Sequence, residues 1–113
     1  GIPMQMGAHG NMMGLGAHWE MELFTHGTFS NYDAIEIATI NGFKHHGLDH
    51  ILGSIEPGKL ADMVIMTQNP LEDIRNTRSI EYVVKNGVIY SGEDASRVYP
   101  NPKSAPRLYF KEK

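Results

Sequence analysis

The chain has 113 residues, 41% hydrophobic and 20% charged, with a formal net charge of -3 at pH 7 and a pI near 6.0. This size carries one small domain with a modest core, and the acidic balance argues against a nucleic-acid surface, which needs a clustered basic excess. No stretch approaches the roughly 20 apolar residues that span a bilayer, so neither nucleic acid nor membrane is expected as a partner. With no cysteine, disulfides and thiolate metal sites are excluded.

The chain opens with a Gly- and Met-rich stretch, residues 1–14, in which Pro3-Met4-Gln5-Met6 reads as a short strand. Gly7-Ala8-His9-Gly10 then reads as a loop, since two glycines permit unusual backbone angles. Residues 15–26 predict a helix, because Leu15, Trp19 and Leu23 recur every four residues, with Gly27 suited to its stop. A second helix has clear punctuation: Ser30 as N-cap, Asp33 three residues on as an acidic capping box, Phe29 poised to staple against Ala34, and Gly47 past the end. Gly53 to Gly58 is a connector with a Pro57-Gly58 turn. Met63–Met66 is a short apolar run best read as a strand buried on both faces. Leu71–Arg75 is one helical turn, and Ile80–Lys85 and Val88–Tyr90 are two further strands. Asn86-Gly87 between them is a strong hairpin signal, because a type I′ turn needs positive φ twice. Pro100, Pro102 and Pro106 exclude long regular elements beyond Ser91, leaving an extended tail with a basic end. Three strands alone give a weak core, so this α/β chain either associates or has its sheet completed by other segments.

All six histidines, His9, His18, His26, His45, His46 and His50, lie in the first fifty residues. His9 follows an expected strand in a glycine loop, a good place to present a side chain to a site. His18 and His26 share a helix face but stand two turns apart, too far for one metal ion. His46 and His50 have i, i+4 spacing, interrupted by Gly47. None makes an HExxH pattern or a zinc set. Glu20 and Glu22 face apart on a helix, which suits paired acid–base work poorly. Asp62, directly before the first long apolar strand, reads as a structural hydrogen-bonding residue. There is neither a nucleophile elbow nor a phosphate-binding loop.

The run Gly53-Ser54-Ile55-Glu56-Pro57-Gly58-Lys59-Leu60-Ala61-Asp62-Met63-Val64-Ile65 resembles the amidohydrolase pattern GSI-x-PGK-x-AD-hydrophobic. Asn69–Ile74 resembles the segment that follows it, Val84–Tyr90 the closing hairpin, and Ala38-Thr39-Ile40-Asn41-Gly42 the upstream helix. The resemblance covers residues 1 to about 91, and it is to metal-dependent hydrolases of imidazolonepropionase or prolidase type. Gly7–Gly10 with Gly14-Leu15-Gly16-Ala17-His18-Trp19-Glu20 looks most like members fused behind a β-propeller.

The resemblance implies that residues 1–50 are the last strand and helices of a (β/α)₈ barrel. Residues 51–91 would then be the C-terminal share of a small composite β-sandwich, and residues 92–113 an extended tail. It further implies cleavage of amide or cyclic-amide C–N bonds by water activated on a divalent metal, zinc by first expectation, with a small-molecule substrate. Most ligands would lie upstream, so this chain alone would be inactive. His9 stands where the family carries an Asp that binds metal and handles the proton of the attacking water; neutral imidazole can do either. His18, Trp19 and Glu20 would line or support the site, while Gly53, Pro57, Gly58, Lys59, Ala61 and Asp62 form the structural motif. The alternative is a non-catalytic scaffold or interaction module with this fold. In either reading a homo-oligomer is expected.

Overall fold

The computed structural model describes residues 3–8 and 12–105. It is a mixed α/β structure in which three helices, α1 (Gly16–Thr25), α2 (Asn31–Ala38) and α3 (Ile40–His45), precede a four-stranded antiparallel sheet. The strands β1 (Met63–Met66), β2 (Ile80–Lys85), β3 (Val88–Ser91) and β4 (Arg97–Tyr99) follow one another in the order β1-β2-β3-β4. A 3₁₀ helix, Ile74–Arg78, lies in the connection from β1 to β2.

The capping box at Ser30 forms as read. The Ser30 hydroxyl accepts from the Asp33 N–H, and the Asp33 carboxylate accepts from the Ser30 N–H, which satisfies two otherwise orphaned donors. The helix behind it is not continuous, however. Thr39, with φ -125 and ψ -99, separates α2 from α3, and its hydroxyl donates to the Ile35 carbonyl at 2.7 Å. Such back-bonding lets a Thr compete with the helix ladder and bend it. Gly47 then ends α3 at φ +67. The Leu48 N–H reaches the Phe43 carbonyl and the Gly47 N–H the Lys44 carbonyl, the paired bonds of a Schellman stop.

Several expectations are corrected. Residues 3–6 form no strand; no neighbouring strand pairs with them, and Met6 instead packs on the helical core. The Leu15–Trp19–Leu23 stripe that marked the helix faces outward. All three are exposed, while Met21 is buried and Phe24 partly so. Phe29 meets the Phe24 ring edge-on at 5.9 Å. β1 is not buried on both faces: Val64 is 46% and Ile65 39% exposed, because its only pairing among the described residues is with β2 and neither face there is covered. The helical turn expected at Leu71–Arg75 falls at Ile74–Arg78. Here Asp73 caps it by accepting from the Arg75 N–H. The sheet has a fourth strand, β4, in the stretch read as tail.

The hairpin forms as expected. Asn86 and Gly87 take φ +48 and +78, and Lys85 pairs with Val88 across them. The hydrophobic core is small. Met21, Ala34 and Ile74 form one cluster, with Ile37 and Val84 also buried. Helices and 3₁₀ helix thus share a core, and the sheet continues from it.

Candidate functional site

His9 lies outside the described residues. The chain approaches it through Met6, Gly7 and Ala8, which cross one face of α1. The Gly7 N–H donates to Glu20 Oε1 at 2.8 Å. A Cβ on Gly16 would stand 4.0 Å from that of Ala8. Glu20 Oε2 is buried and has no hydrogen-bond partner among the described residues.

His18, Trp19 and Glu20 are successive residues of one helix, so they fan out at roughly 100° per residue. The structure does not bring them together. The His18 ring faces the 3₁₀ helix, with Nδ1 2.9 Å from the hydroxyl of Thr77, the most buried polar side chain described. One turn along, Glu22 pairs with Arg78 at 2.7 Å, so two polar contacts fasten α1 to residues near 77. Trp19 is 38% exposed. Thr77 and Arg78 had no signal in the sequence, since the contact spans 59 residues.

Burial, and secondarily the charge of Arg78, lower the His18 pKa below 6.5. Between that lowered value and about 6.5 the unfolded chain binds more protons than the folded one, so stability rises with pH there. Stability is full above about 6.5 and is lost as pH falls through 6.5 toward the folded pKa. Thermal melts should therefore drop from pH 7.5 to 5.5, and His18→Asn should flatten that dependence. Five carboxylates that accept hydrogen bonds, Asp33, Glu56, Asp62, Asp73 and Asp94, are shifted downward, away from this window. An equal slope in His18→Asn would assign the dependence elsewhere.

The motif residues serve structure. Asp62 Oδ1 accepts from the Asn86 N–H at 2.7 Å, and Oδ2 pairs with Lys85. The Ala61 carbonyl accepts from Gly87 at 3.1 Å. The segment before β1 is thereby tied to the β2–β3 turn, and the Lys85 hydrogen bond, then that of Asn86, holds the Asp62 pKa down. Lys59 Nζ, nearly buried, donates to Ser54 at 2.5 Å and to Glu56 at 3.0 Å. Pro57 and Gly58 turn the chain between Glu56 and Lys59, with Gly58 at φ +91. Gly53 packs on Ile40 and Phe43.

An open groove of about 720 Å³ runs between Glu36, Lys44, Asp49, His50 and Lys59. It holds neither His18 nor Glu20, and its charges are of mixed sign. His26, His45, His46 and His50 are exposed. Among the described residues no three His, Asp or Glu side chains converge to hold a metal ion. These residues do not by themselves fit a metal: His18 is engaged by Thr77 and Glu20 by a backbone amide.

A family model described as "Amidohydrolase family" matches residues 4–90. The guanine deaminase of Escherichia coli (strain K12) is 39% identical over 72 residues, 62% of this chain and 16% of that protein. Adenine deaminase 4 of Rhizobium meliloti (strain 1021) is 42% identical over 77 residues, 66% of this chain and 12% of that protein. Among solved structures, molinate hydrolase aligns with a TM-score of 0.70 at 31% identity, covering 89% of this chain and 22% of that one. Phenylurea hydrolase B aligns with a TM-score of 0.65 at 38% identity, covering 67% and 17%. The chain thus spans 12–16% of the length of these two curated relatives.

Proposed function

The chain belongs to the amidohydrolase family, and on that premise we propose that it is the C-terminal portion of a metal-dependent hydrolase acting on C–N bonds of small molecules. Residues 1–50 would close a (β/α)₈ barrel, and residues 51–91 would supply strands to a composite β-sandwich. Deaminases and hydrolases among the relatives support the bond class. The observation that carries the reading is the family match over residues 4–90, in which Ala61 and Asp62, at the end of the Gly53–Asp62 motif, are hydrogen-bonded to the β2–β3 turn.

In such an enzyme a divalent metal, zinc by first choice, supplies water activated near neutral pH. The described residues hold no ligand set for it, so this chain alone is inactive in this reading. Its contributions are to hold the backbone at Gly7 and to supply His9 as a metal-adjacent or proton-handling group. The test compares the full-length protein with its His9→Ala variant. Turnover and metal stoichiometry should fall; if neither changes, His9 leaves the mechanism.

A second reading is a non-catalytic scaffold or interaction module with the same fold. The open reading frame separates the two: several hundred upstream residues containing His-x-His support the enzyme, and a stop before Gly1 supports the module. In both, exposed Leu15, Trp19 and Leu23 support self-association.

A further inference from the structure

We propose that Asn86 is a site of spontaneous covalent modification, loss of side-chain ammonia through a succinimide, which Ala61 and Asp62 hold shut in the folded protein. Three observations carry this, none of them dependent on the catalytic reading.

The first is the residue pair and its place in the fold. An asparagine followed by glycine is open to attack by the next backbone nitrogen, because glycine has no side chain to crowd that nitrogen. Two such pairs occur, Asn41-Gly42 and Asn86-Gly87. Asn41-Gly42 lies within α3 and is half-buried. Asn86-Gly87 is the exposed tip of the β2–β3 hairpin, where water arrives freely. In the reaction the Gly87 nitrogen, having lost its proton, attacks Asn86 Cγ. A C–N bond forms, the bond to the side-chain nitrogen breaks, and ammonia leaves with the proton. Water then opens either carbonyl of the ring and gives aspartate or isoaspartate, with no change of oxidation state.

The second is what ring closure must break. A succinimide nitrogen carries no hydrogen, yet in the fold the Gly87 N–H donates to the Ala61 carbonyl at 3.1 Å. That bond is given up before the ring can form. The turn itself, with φ +48 and +78, is closed by the Lys85–Val88 pair. A type I′ turn sets ψ of its first residue at about +30°, and ring closure swings the Gly87 nitrogen away from that arrangement toward the Asn86 side chain. Asp62 opposes the swing: Oδ1 accepts from the Asn86 N–H at 2.7 Å, and Oδ2 pairs with Lys85. Charge-assisted bonds of this kind are stronger than neutral ones. Residues 85, 86 and 87 are each tied to Ala61 or Asp62.

The third is that the restraint is hydrogen bonding and not crowding. A Cβ added to Gly87 would meet nothing within 4 Å, so no neighbouring side chain blocks the path of the ring. Once the ties at Ala61 and Asp62 open, nothing steric slows the reaction. An isoaspartate adds a backbone carbon to a two-residue loop and brings a new carboxylate near Asp62, so the product cannot remake those ties.

The test is incubation of the full-length protein in mildly alkaline buffer, with aspartate and isoaspartate at residues 86 and 41 read by peptide mass spectrometry. Urea-unfolded parent protein gives the unrestrained rate at both. Native parent should react at residue 86 at least tenfold more slowly than this, since the reaction must wait on local opening. Asp62→Ala should recover at least tenfold at residue 86 while residue 41 keeps its native rate, and Asp62→Asn, which retains a carbonyl acceptor, should stay within about threefold of the parent. A native rate at residue 86 equal to the unfolded one overturns the proposal. So does an Asp62→Ala rate equal to that of the parent. Residues 41 and 86 accelerating together in Asp62→Ala overturns it as well, because Asp62 would then act through overall stability and not on the turn.

Discussion

Gly53→Ala should destabilise the fold by about 3 kcal/mol, while Gly58→Ala should cost only about 1 kcal/mol. Both glycines take nearly the same left-handed backbone, φ +93 and +91, so the intrinsic strain of a Cβ there is alike, about 1 kcal/mol. Their surroundings differ. A Cβ on Gly58 would meet nothing within 4 Å, whereas one on Gly53 would stand 2.7 Å from Phe43 Cδ2, 2.9 Å from Ile40 Cα and 3.1 Å from Ile40 Cδ1. Phe43 could turn aside, but the Ile40 Cα is backbone, and moving it displaces α3. Overpacking of this kind costs about 1–3 kcal/mol beyond strain, for a total near 3 kcal/mol. Against a core as small as this one, that is a large share of the total stability. Denaturant melts of the two variants decide it: midpoints for Gly53→Ala and Gly58→Ala within error of one another would remove the close approach from the account.

Much of the chain's local structure was readable because it rests on short-range chemistry. Ser30 with Asp33, Gly47 after α3, and Asn86-Gly87 each specify a conformation through neighbours within a few residues. The elements that misread depend on distant partners. That Met21 and Phe24 are the side chains α1 turns toward the core is set by where Ala34 and Ile74 pack, which helical periodicity does not encode. Burial of β1 was inferred from its apolar composition, yet composition describes what a strand prefers to contact and not what lies beside it. β4 escaped notice because Pro100 and Pro102 directly follow a three-residue strand too short to show alternation.

The site divides along the same line. The motif from Gly53 to Asp62 was legible as a unit, and its structural character follows from contacts between neighbours in the fold, such as Asp62 with Lys85 and Asn86. His18, Trp19 and Glu20 were legible as a cluster in sequence but diverge in space, because consecutive residues on a helix point apart. The engagement of His18 by Thr77, and of Glu22 by Arg78, joins segments more than fifty residues apart. Nothing in either segment alone calls for the other.

We propose that this chain self-associates through the outward stripe of α1, with a mass of at least twice 12.6 kDa at micromolar concentration. Leu15 is 43%, Trp19 38% and Leu23 66% exposed, and at i, i+4 spacing they form one continuous strip. Met12 and Met13, in the turn before α1, are also exposed. A two-fold contact presents the same strip from both copies, so six large side chains leave water. Each fully buried side chain of this kind is worth roughly 1.5–3 kcal/mol. These are already partly covered, which brings the gross gain to about 10 kcal/mol. Lost translational and rotational freedom opposes it by about 4–15 kcal/mol, so the expected dimer is weak. By symmetry a substitution counts twice. Leu23→Glu places two carboxylates in the contact and should return the chain to a monomer, whereas Val64→Lys, on the exposed part of β1, should not. Light scattering on the three proteins reads this directly. A monodisperse 12.6 kDa parent chain with a cooperative melt would show that the strip is simply solvated, and Val64→Lys acting in place of Leu23→Glu would move the contact to the sheet.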